Sequence, residues 1–394
     1  MRRLLIYCQD GMGLGHLRRA RNIAAEVVAR APGCAVLVAS DSPAVPFFSP
    51  LPGVDHLKLP TLVKTGSASW RAGGLSLDVA QTVRLRAQLL VATLVEFGPD
   101  VVLVDHMPVG ALGELKPLLD HAARGNGRPG LFLGLRDVLD APEVIQLVWS
   151  ELDAYALLER YDAVLVYGCQ DIYDAAAAYG LRERARDVTY CNYVASTPDP
   201  AQRSAVFDEP LVLVMGGGGG DAFTHAATFL EAFPLVLAEL PLRAAILPGP
   251  NMPLPERRAL AADAAVHGVE VGSGFEDALP WLRRASAVVT MAGYNSLCEA
   301  LRERKKALAL PRAGPSAEQR IRSRLFAERR LLRVLEPEAL TSERLAEDLL
   351  RLLTEDGIPD LAQIPPLDGA ARAASVLVQG AVGEWSSEAR LPVL

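Results

Sequence analysis

The sequence lacks the features of several common protein classes. Its 394 residues include only five cysteines, and none form a Cys-x-x-Cys pair, which argues against a disulfide framework or a zinc site. No apolar run approaches the ~20 residues that a membrane span needs. The apolar stretch after Met1-Arg2-Arg3 is too short for a signal peptide. No basic block stands out against a formal net charge of −7, so we expect no nucleic-acid partner. The scattered cysteines fit a reducing compartment, and we expect a cytoplasmic protein.

Aromatic residues are also scarce, at 6%, whereas half of the residues are hydrophobic and most of these are Ala, Leu and Val. This composition suits an α/β protein, and the length suits two domains. Apolar runs alternate with helical patterns, which indicates parallel sheets with right-handed crossovers. We predict two Rossmann-like, doubly wound domains that face each other across a cleft, over 1–195 and 210–365. The proline-rich segment 196–209 is the expected linker, and 366–394 is an expected helix and tail that can pack back on the first domain.

A glycine-rich loop follows the first predicted strand. Its glycines stand at positions 11, 13 and 15, and they do not match the dinucleotide pattern, whose third glycine would fall at His16. The glycines predict a close approach of the backbone to another group. His16 begins a helix predicted over 16–30, where the helix dipole disfavours the imidazolium form and leaves a proton acceptor. A solvated histidine without a role is the alternative.

Polar residues follow two further predicted strands of the first domain. Asp105 and His106 end the strand 101–105, and Arg136 and Asp137 follow the strand 131–135. Ligands of doubly wound sheets bind at this carboxyl edge, so we expect these residues to meet His16 on one rim. A cap or turn role for each residue is the alternative. The polar stretch 64–76 predicts a mobile loop over the cleft.

The second half repeats the pattern with a run of five glycines, 216–220, after the strand 210–215. Such a run predicts that the backbone lies against a ligand or against the opposite domain. Further on, a short strand turns at Ala292-Gly293 and continues as a helix from Tyr294. This order places unpaired N–H groups and the positive end of a helix dipole where phosphate binds. Glu299 follows about one and a half turns later, where it can accept hydrogen bonds from ribose hydroxyls. An ordinary turn at Gly293 is the alternative.

These blocks resemble the GT-B glycosyltransferases, specifically the family 28 enzymes like the N-acetylglucosaminyltransferase that makes the lipid-linked peptidoglycan precursor. The stretch 11–16 is similar to that family's first glycine loop, and 216–220 to its second. The stretches 291–301 and 311–319 are similar to its donor signature. The likeness is strongest over 210–330 and is closer to bacterial predicted glycosyltransferases of the same superfamily, because the acceptor half matches only in its first loop.

The resemblance implies inverting transfer of a hexosyl or N-acetylhexosaminyl group from a UDP- or dTDP-sugar, with a UDP-N-acetylglucosamine-like donor favoured. The acceptor would be a hydroxyl of a small molecule, natural product or lipid-linked compound. No cofactor is implied beyond the nucleotide-sugar co-substrate, and the absence of an Asp-x-Asp triplet agrees with a metal-independent site. The implied donor contacts are Gly216, Gly217, Gly218, Phe275, Ala292, Gly293, Tyr294, Asn295, Glu299, Glu318 and Gln319. The implied acceptor contacts are Gly13, Gly15, His106 and Arg136, and His16, Asp105 and Asp137 compete for the role of the base.

The second glycine loop departs from the family pattern, because it lacks the usual Ser and Gln, which puts its donor contacts in doubt.

Three alternatives stay open. A nucleotide-sugar 2-epimerase or hydrolase uses the same two-domain cleft, and a non-catalytic nucleotide-sugar-binding protein would keep Gly293 and Glu299. Peripheral membrane contact through the apolar stretch 89–97, beside Arg84 and Arg86, competes with simple core packing of that helix.

Overall fold

A computed structural model of the chain describes residues 1–11, 14–65, 69–124, 128–196, 210–274 and 277–380. Its contacts divide the chain into two units. Unit 1 is Met1–Val194 with the segment from Asp368 onward, and unit 2 is Ala195–Leu367. The domain limits of the sequence analysis stay predictions about which parts fold independently, and almost all of the predicted linker lies outside the described residues.

The strands follow the apolar runs of the sequence. They are β1 Arg3–Cys8, β2 Ala35–Ser40, β3 Val54–Lys58, β4 Leu62–Lys64, β5 Trp70–Ala72, β6 Val101–Asp105, β7 Gly130–Arg136, β8 Ala163–Tyr167, β9 Val188–Tyr190, β10 Leu211–Met215, β11 Arg243–Leu247, β12 Glu270–Val271, β13 Ala287–Thr290, β14 Lys306–Ala309 and β15 Arg333–Val334.

The helices lie between these strands. They are α1 Gly15–Arg30, α2 Val79–Phe97, α3 Lys116–Ala122, α4 Pro142–Glu151, α5 Ala154–Leu157, α6 Ala175–Ala178, α7 Phe223–Glu239, α8 Leu254–Val266, α9 Ala278–Arg284, α10 Tyr294–Arg302, α11 Glu318–Glu328, α12 Ser342–Thr354 and α13 Gly369–Gly380. Short 3-10 helices occupy Val45–Phe47, Ala111–Gly113, Leu158–Arg160 and Pro337–Ala339.

Each unit is built on one parallel sheet. The order in unit 1 is β3-β2-β1-β6-β7-β8-β9, and the order in unit 2 is β12-β11-β10-β13-β14-β15. In both sheets the strand order reverses beside the first strand, between β1 and β6 and between β10 and β13. The predicted fold class, two Rossmann-like doubly wound α/β units, is therefore confirmed. The two reversal points are where such sheets bind ligands, at the carboxyl ends of the strands.

Helix α2 shows how local sequence fixes an element. The Asp78 carboxylate accepts a hydrogen bond from Gln81 N at 2.7 Å, and the Gln81 side chain accepts one from Asp78 N at 3.1 Å. This capping box starts the helix at Val79. At the other end Gly98 adopts the left-handed conformation, with a φ of 54°, and stops the helix.

The predicted loop over 64–76 is wrong in part. Strands β4 and β5 pair there as an antiparallel hairpin, with Lys64 opposite Trp70, while residues 66–68 lie outside the described part. Strands of three residues are too short to show a period of two, so the sequence pattern does not reveal them. Strands β9 and β15, with three and two residues, are too short to be predicted from the sequence for the same reason.

The apolar stretch of α2 packs partly into the core of unit 1, where Leu90 and Leu94 are buried. Arg86, which the membrane alternative took as a flanking basic residue, is fully buried as well. Among the described helices none is both long and apolar enough to cross a bilayer. Peripheral membrane contact stays an untested prediction.

Arg86 is the centre of a buried ion cluster. Its Nη1 donates to Asp41 Oδ2 at 2.9 Å, and its Nη2 and Nε both donate to the Glu114 carboxylate, the former at 2.6 Å. Tyr7 donates its hydroxyl to Glu114 Oε1 at 2.5 Å. Burial and then the charge of Glu114 raise the pKa of Tyr7 well above its usual value, so Tyr7 stays a donor. The other oxygen of Asp41 accepts a hydrogen bond from Asp10 N at 2.7 Å, which ties the first glycine loop to the cluster.

Removing the cation from this cluster is expected to destabilise unit 1 strongly. Arg86→Met leaves the carboxylates of Asp41 and Glu114 buried without their partner, which costs about 3–5 kcal/mol in unfolding free energy. Urea denaturation followed by circular dichroism measures the change. Arg351→Met is the control, because Arg351 pairs with Glu347 on an exposed face of α12 and should cost less than about 1 kcal/mol. Equal losses in the two variants would contradict the structural role of Arg86.

Candidate functional site

The carboxyl edge of unit 1 gathers a set of side chains at its reversal point. We call His16, Arg19, Asp105 and His106 the histidine cluster. Strands β1 and β6 are neighbours in register, with Cys8 opposite Asp105, so their following loops start side by side. Helix α1 begins at Gly15 in the loop after β1 and brings His16 against the end of β6.

The geometry of His16 fixes its tautomer. Its Nδ1 lies 2.5 Å from Asp105 Oδ2, and two atoms this close share a proton, because two lone pairs would repel each other. Asp105 is ionised, so the proton belongs to Nδ1, and the neutral form of the ring has its lone pair on Nε2. Arg19 Nη2 also lies 2.9 Å from His16 Nδ1, but it has closer acceptors in the two oxygens of Asp105, at 2.8 and 2.7 Å. The contact with Asp105 thus orients the His16 ring, and in the neutral ring Nε2 is the acceptor nitrogen.

Arg19 keeps the Asp105 carboxylate charged. Its guanidinium is buried and donates through Nε and Nη2 to Asp105, and its Cζ lies 5.4 Å from the centre of the Tyr167 ring. Burial opposes ionisation of Asp105, but the charge of Arg19 and the contact with His16 outweigh it and hold the pKa of the carboxyl well below its ordinary value. Arg19 was not among the residues predicted from the sequence. Positions 16 and 19 share one face of a helix, which indicates a neighbour of His16 but not the contact with Asp105.

His106 stands beside His16 in a strained backbone conformation. Its φ is 80°, and the centres of the two imidazole rings are 4.8 Å apart. Its Nδ1 is buried and makes no hydrogen bond within the described residues. Burial, and then the charge of Arg136, lower the pKa of His106 well below its usual value. Strained residues cluster at functional sites, and here the strain presents a neutral imidazole with an unused polar atom.

The remaining rim residues of unit 1 differ in their placement. Arg136 is the last residue of β7, close enough for its charge to act on His106. Asp137 is buried and packs toward the loop after β8, because a Cβ on Gly168 would lie 2.7 Å from the Cβ of Asp137. Gly15 is the first residue of α1, whereas Gly13 lies outside the described residues.

The N-terminus of α1 already has an anionic partner. Asp10 Oδ2 accepts a hydrogen bond from Leu17 N at 3.0 Å. Gly11 is required by the backbone of β4, since a Cβ there would come within 2.2 Å of the Leu62 carbonyl oxygen. The predicted close approach in this loop is therefore to a strand of the same unit. A second anion at this helix end would be repelled by Asp10.

The second glycine loop is also explained in part by close packing on the backbone of its own unit. A Cβ on Gly216 or Gly219 would lie 2.6 or 2.5 Å from the Pro248 carbonyl oxygen, so the loop packs on the turn after β11. Gly219 also has a φ of 92°, and Asn251 N donates to the Gly218 carbonyl at 2.9 Å. Two of the five glycines are thus required by packing inside unit 2. Gly217 and Gly220 have open space at the Cβ position.

The end of β13 is different. We call Met291–Gly293 with the first turn of α10 the anion turn. Gly293 is the N-cap of α10 and so has no side chain with which to cap the helix, and the first turn holds no acidic residue. A Cβ on Gly293 would meet only Ser296 Oγ, at 3.9 Å, so the space before the helix is open. Ala292 has a φ of 59°, a strained conformation for a residue with a side chain.

Arg322 of α11 supports this turn from behind. It is fully buried, and its Nη1 donates to the Ala292 carbonyl at 3.4 Å and to Glu318 Oε1 at 3.2 Å. Its Cζ lies 5.4 Å from the centre of the Tyr294 ring, so the buried Tyr294 side chain faces the protein. Arg322 was also not predicted as a site residue. It stands four residues after Glu318, so the two side chains share one helix face.

Comparisons with solved structures agree with this architecture. The glycotransferase of kitacinnamycin is 17% identical over 96% of this chain and 98% of its own, with a TM-score of 0.65. A putative UDP-N-acetylglucosamine 2-epimerase from Listeria monocytogenes is 14% identical over 98% and 97%, with a TM-score of 0.65. MurG from Acinetobacter baumannii is 14% identical over 95% of both chains, with a TM-score of 0.53. The chain has the GT-B fold. No family model matches the sequence, and no curated protein is significantly similar to it.

In this GT-B chain, the other residues predicted to contact the donor lie around the anion turn. Glu299 is buried in α10, and its Oε1 accepts a hydrogen bond from Ser196 Oγ at 3.4 Å. Gln319 is also buried and accepts a hydrogen bond from Arg312 N at 3.0 Å, which fixes the loop after β14. Asn295 is half-buried in the first turn of α10. Phe275 lies outside the described residues, so its predicted contact with the donor stays a prediction.

The low pKa of Asp105 predicts a pH-dependent contribution to the stability of this GT-B chain. A carboxyl with a lower pKa in the folded than in the unfolded chain stabilises the fold above about pH 4, the unfolded value, and loses this effect as the pH falls below it. Asp105→Asn should therefore cost about 3–5 kcal/mol at pH 7, with a smaller difference from the parent protein at pH 3. Urea unfolding of both proteins at pH 7, 5, 4 and 3 measures this difference in unfolding free energy.

Asp120→Asn is the control for this series, because Asp120 pairs with Arg160 where both side chains are well exposed. We expect a loss below about 1 kcal/mol for this variant at every pH. A penalty for Asp105→Asn that stays constant from pH 7 to pH 3 would contradict the assignment of the low pKa to Asp105.

Proposed function

We propose that this protein is an inverting glycosyltransferase that moves a hexosyl or N-acetylhexosaminyl group from a UDP- or dTDP-sugar to a hydroxyl group. The favoured donor is UDP-N-acetylglucosamine-like, and the acceptor is a small molecule, natural product or lipid-linked compound. The observation that carries the proposal is the presence, in one GT-B chain, of an oriented histidine in unit 1 and of a helix N-terminus with a glycine cap and no acid in its first turn in unit 2.

The anion turn supplies what the donor needs. The N-cap of α10 is a glycine and its first turn holds no acid, so the positive end of the helix dipole would favour the negative charge of the diphosphate, to which backbone N–H groups would donate. The charge on the diphosphate grows as the sugar leaves, and fixed dipoles of this kind stabilise it without reorganising. The proposed site needs no metal and no cofactor. Glu299 would accept hydrogen bonds from the ribose, and Gln319 and Glu318 would lie near the sugar.

His16 is the best candidate for the base among the three that the sequence offered. Asp105 is held as a carboxylate of low pKa by Arg19 and orients the His16 ring, and Asp137 packs toward the loop after β8. His16 Nε2 would take the proton from the acceptor hydroxyl. The acceptor oxygen would then bond to the anomeric carbon while the bond from that carbon to the diphosphate oxygen breaks. His106, with its unused Nδ1, and Arg136 would orient the acceptor.

A nucleotide-sugar 2-epimerase or hydrolase is the second candidate. It rests on the solved putative 2-epimerase, which matches this chain with the same TM-score as the glycotransferase. Such an enzyme would act on the donor without an acceptor. Incubation with UDP-N-acetylglucosamine alone, followed by product analysis, separates the two, because only the second candidate would consume the donor.

Binding of the donor is the first test. We expect calorimetric titration with UDP, dTDP, GDP and their common sugars to find one nucleotide that binds equally well with and without Mg²⁺. Glu299→Gln should weaken that binding by about 1–3 kcal/mol, because the neutral amide accepts ribose hydrogen bonds less strongly. Glu303→Gln, at the end of the same helix, should leave binding unchanged. A protein that binds none of these nucleotides would overturn the proposal.

Turnover tests the base. His16→Ala should lower turnover of the sugar-nucleotide by ~10²-fold or more, while the donor affinity stays within a factor of about two, since general base catalysis contributes 10²–10⁴-fold. His121→Ala is the control, because His121 lies exposed on α3 of the same unit. Unchanged turnover in His16→Ala would transfer the role to another residue.

A further inference from the structure

The loops on either side of β13 are joined by an ion pair. Strand β13 lies between β10 and β14 in the sheet of unit 2. Asp221 follows β10 and Arg312 follows β14, and Arg312 Nη1 donates to Asp221 Oδ2 at 3.0 Å. Because the two loops flank the end of β13, this pair spans the edge of the sheet at the anion turn.

Arg312 has a fixed backbone and an available side chain. Its N–H donates to the buried Gln319 at 3.0 Å, which anchors the residue just after β14. Its side chain is 32% exposed, and that of Asp221 is 50% exposed. The buried Nε of Arg312 makes no hydrogen bond within the described residues. One face of this guanidinium is therefore paired with Asp221, while another donor is unused.

Arg312 is also the only basic residue in the loops that surround the anion turn. The loop after β10 holds five glycines and Asp221, the loop after β11 is Pro248 to Pro253, and the turn after β13 is Met291 to Gly293. None of these stretches contains a lysine or an arginine, and neither does the rest of the loop after β14, 310–317. A diphosphate at this edge would find Arg312 as the nearest cation that the connecting loops provide.

We propose that Arg312 binds the diphosphate group of the donor, and that Asp221 holds Arg312 in place until the donor arrives. This inference rests on the proposed function, because it names a further residue of the same donor site. The guanidinium presents two parallel N–H donors that match two phosphate oxygens, so it is suited to exchange a carboxylate for a phosphate. An ion pair this exposed contributes little to stability, so breaking it costs little. A diphosphate carries more negative charge than one carboxylate and therefore competes well for Arg312.

The proposal predicts opposite effects for the two members of the pair. In Arg312→Gln we expect UDP to bind roughly tenfold more weakly, while UMP, which lacks the second phosphate, binds within about twofold of the parent protein. In Asp221→Asn we expect UDP to bind several-fold more tightly, because Arg312 has no competing anion. In the double variant the gain from Asp221→Asn should largely disappear. Calorimetric titration with UDP and UMP measures all three, with dTDP and dTMP used in the same way if the parent protein prefers thymidine nucleotides.

The outcomes separate this inference from the proposed function. If the parent protein binds neither nucleotide pair, both proposals are overturned. If it binds UDP and Arg312→Gln binds UDP equally well, or if both single variants weaken binding alike, Arg312 has only a structural role and the donor site stands. If the gain from Asp221→Asn persists in the double variant, Asp221 acts by simple repulsion of phosphate and its holding role is overturned. Arg312→Lys, which retains the charge without the paired donors, should recover only part of the UDP affinity, and unfolding curves check that each variant is folded.

Discussion

The buried carboxylate of Asp105 is the constraint on which the unit 1 site depends. A charge at this depth must be paired, and two neighbours provide the pairing, Arg19 from one turn into α1 and His16 from its start. Because Arg19 occupies both oxygens, the carboxylate cannot turn away from His16. The same contact that makes burial of the charge tolerable therefore also fixes the His16 tautomer and the direction of its free nitrogen.

The two units share a topology but differ at the helix ends where a ligand would bind. Helix α1 receives a carboxylate from its own chain, since Asp10 accepts the N–H of Leu17. Helix α10 has a glycine as its N-cap and no acidic residue in its first turn. Since an anion already bound at a helix N-terminus repels a second one, the end of α10 suits a diphosphate better than the end of α1. In the proposed function, unit 1 would therefore carry out the proton transfer and unit 2 would bind the anion.

Much of this architecture follows from the sequence, because long apolar strands such as β6 and helices with capping signals such as α2 carry local patterns. The predicted meeting of His16, Asp105 and His106 follows from topology, since parallel strands end at one edge. The sequence does not reveal what depends on distant contacts. The hairpin of β4 and β5 is too short to show a period. The roles of Arg19 and Arg322 follow from partners that only the fold brings close, Asp105 for the first and the Ala292 carbonyl for the second.

The run of five glycines shows why a motif alone does not define a binding site. Packing against the Pro248 carbonyl already requires Gly216 and Gly219, so these two residues need no ligand to explain them. A loop without side chains also brings no cation to the sheet edge. In the proposed function, the charge of the diphosphate would then be met by backbone N–H groups of α10 and by side chains of neighbouring loops. The glycine loop would supply no charged partner, and this role would fall to the residues that follow β13 and β14.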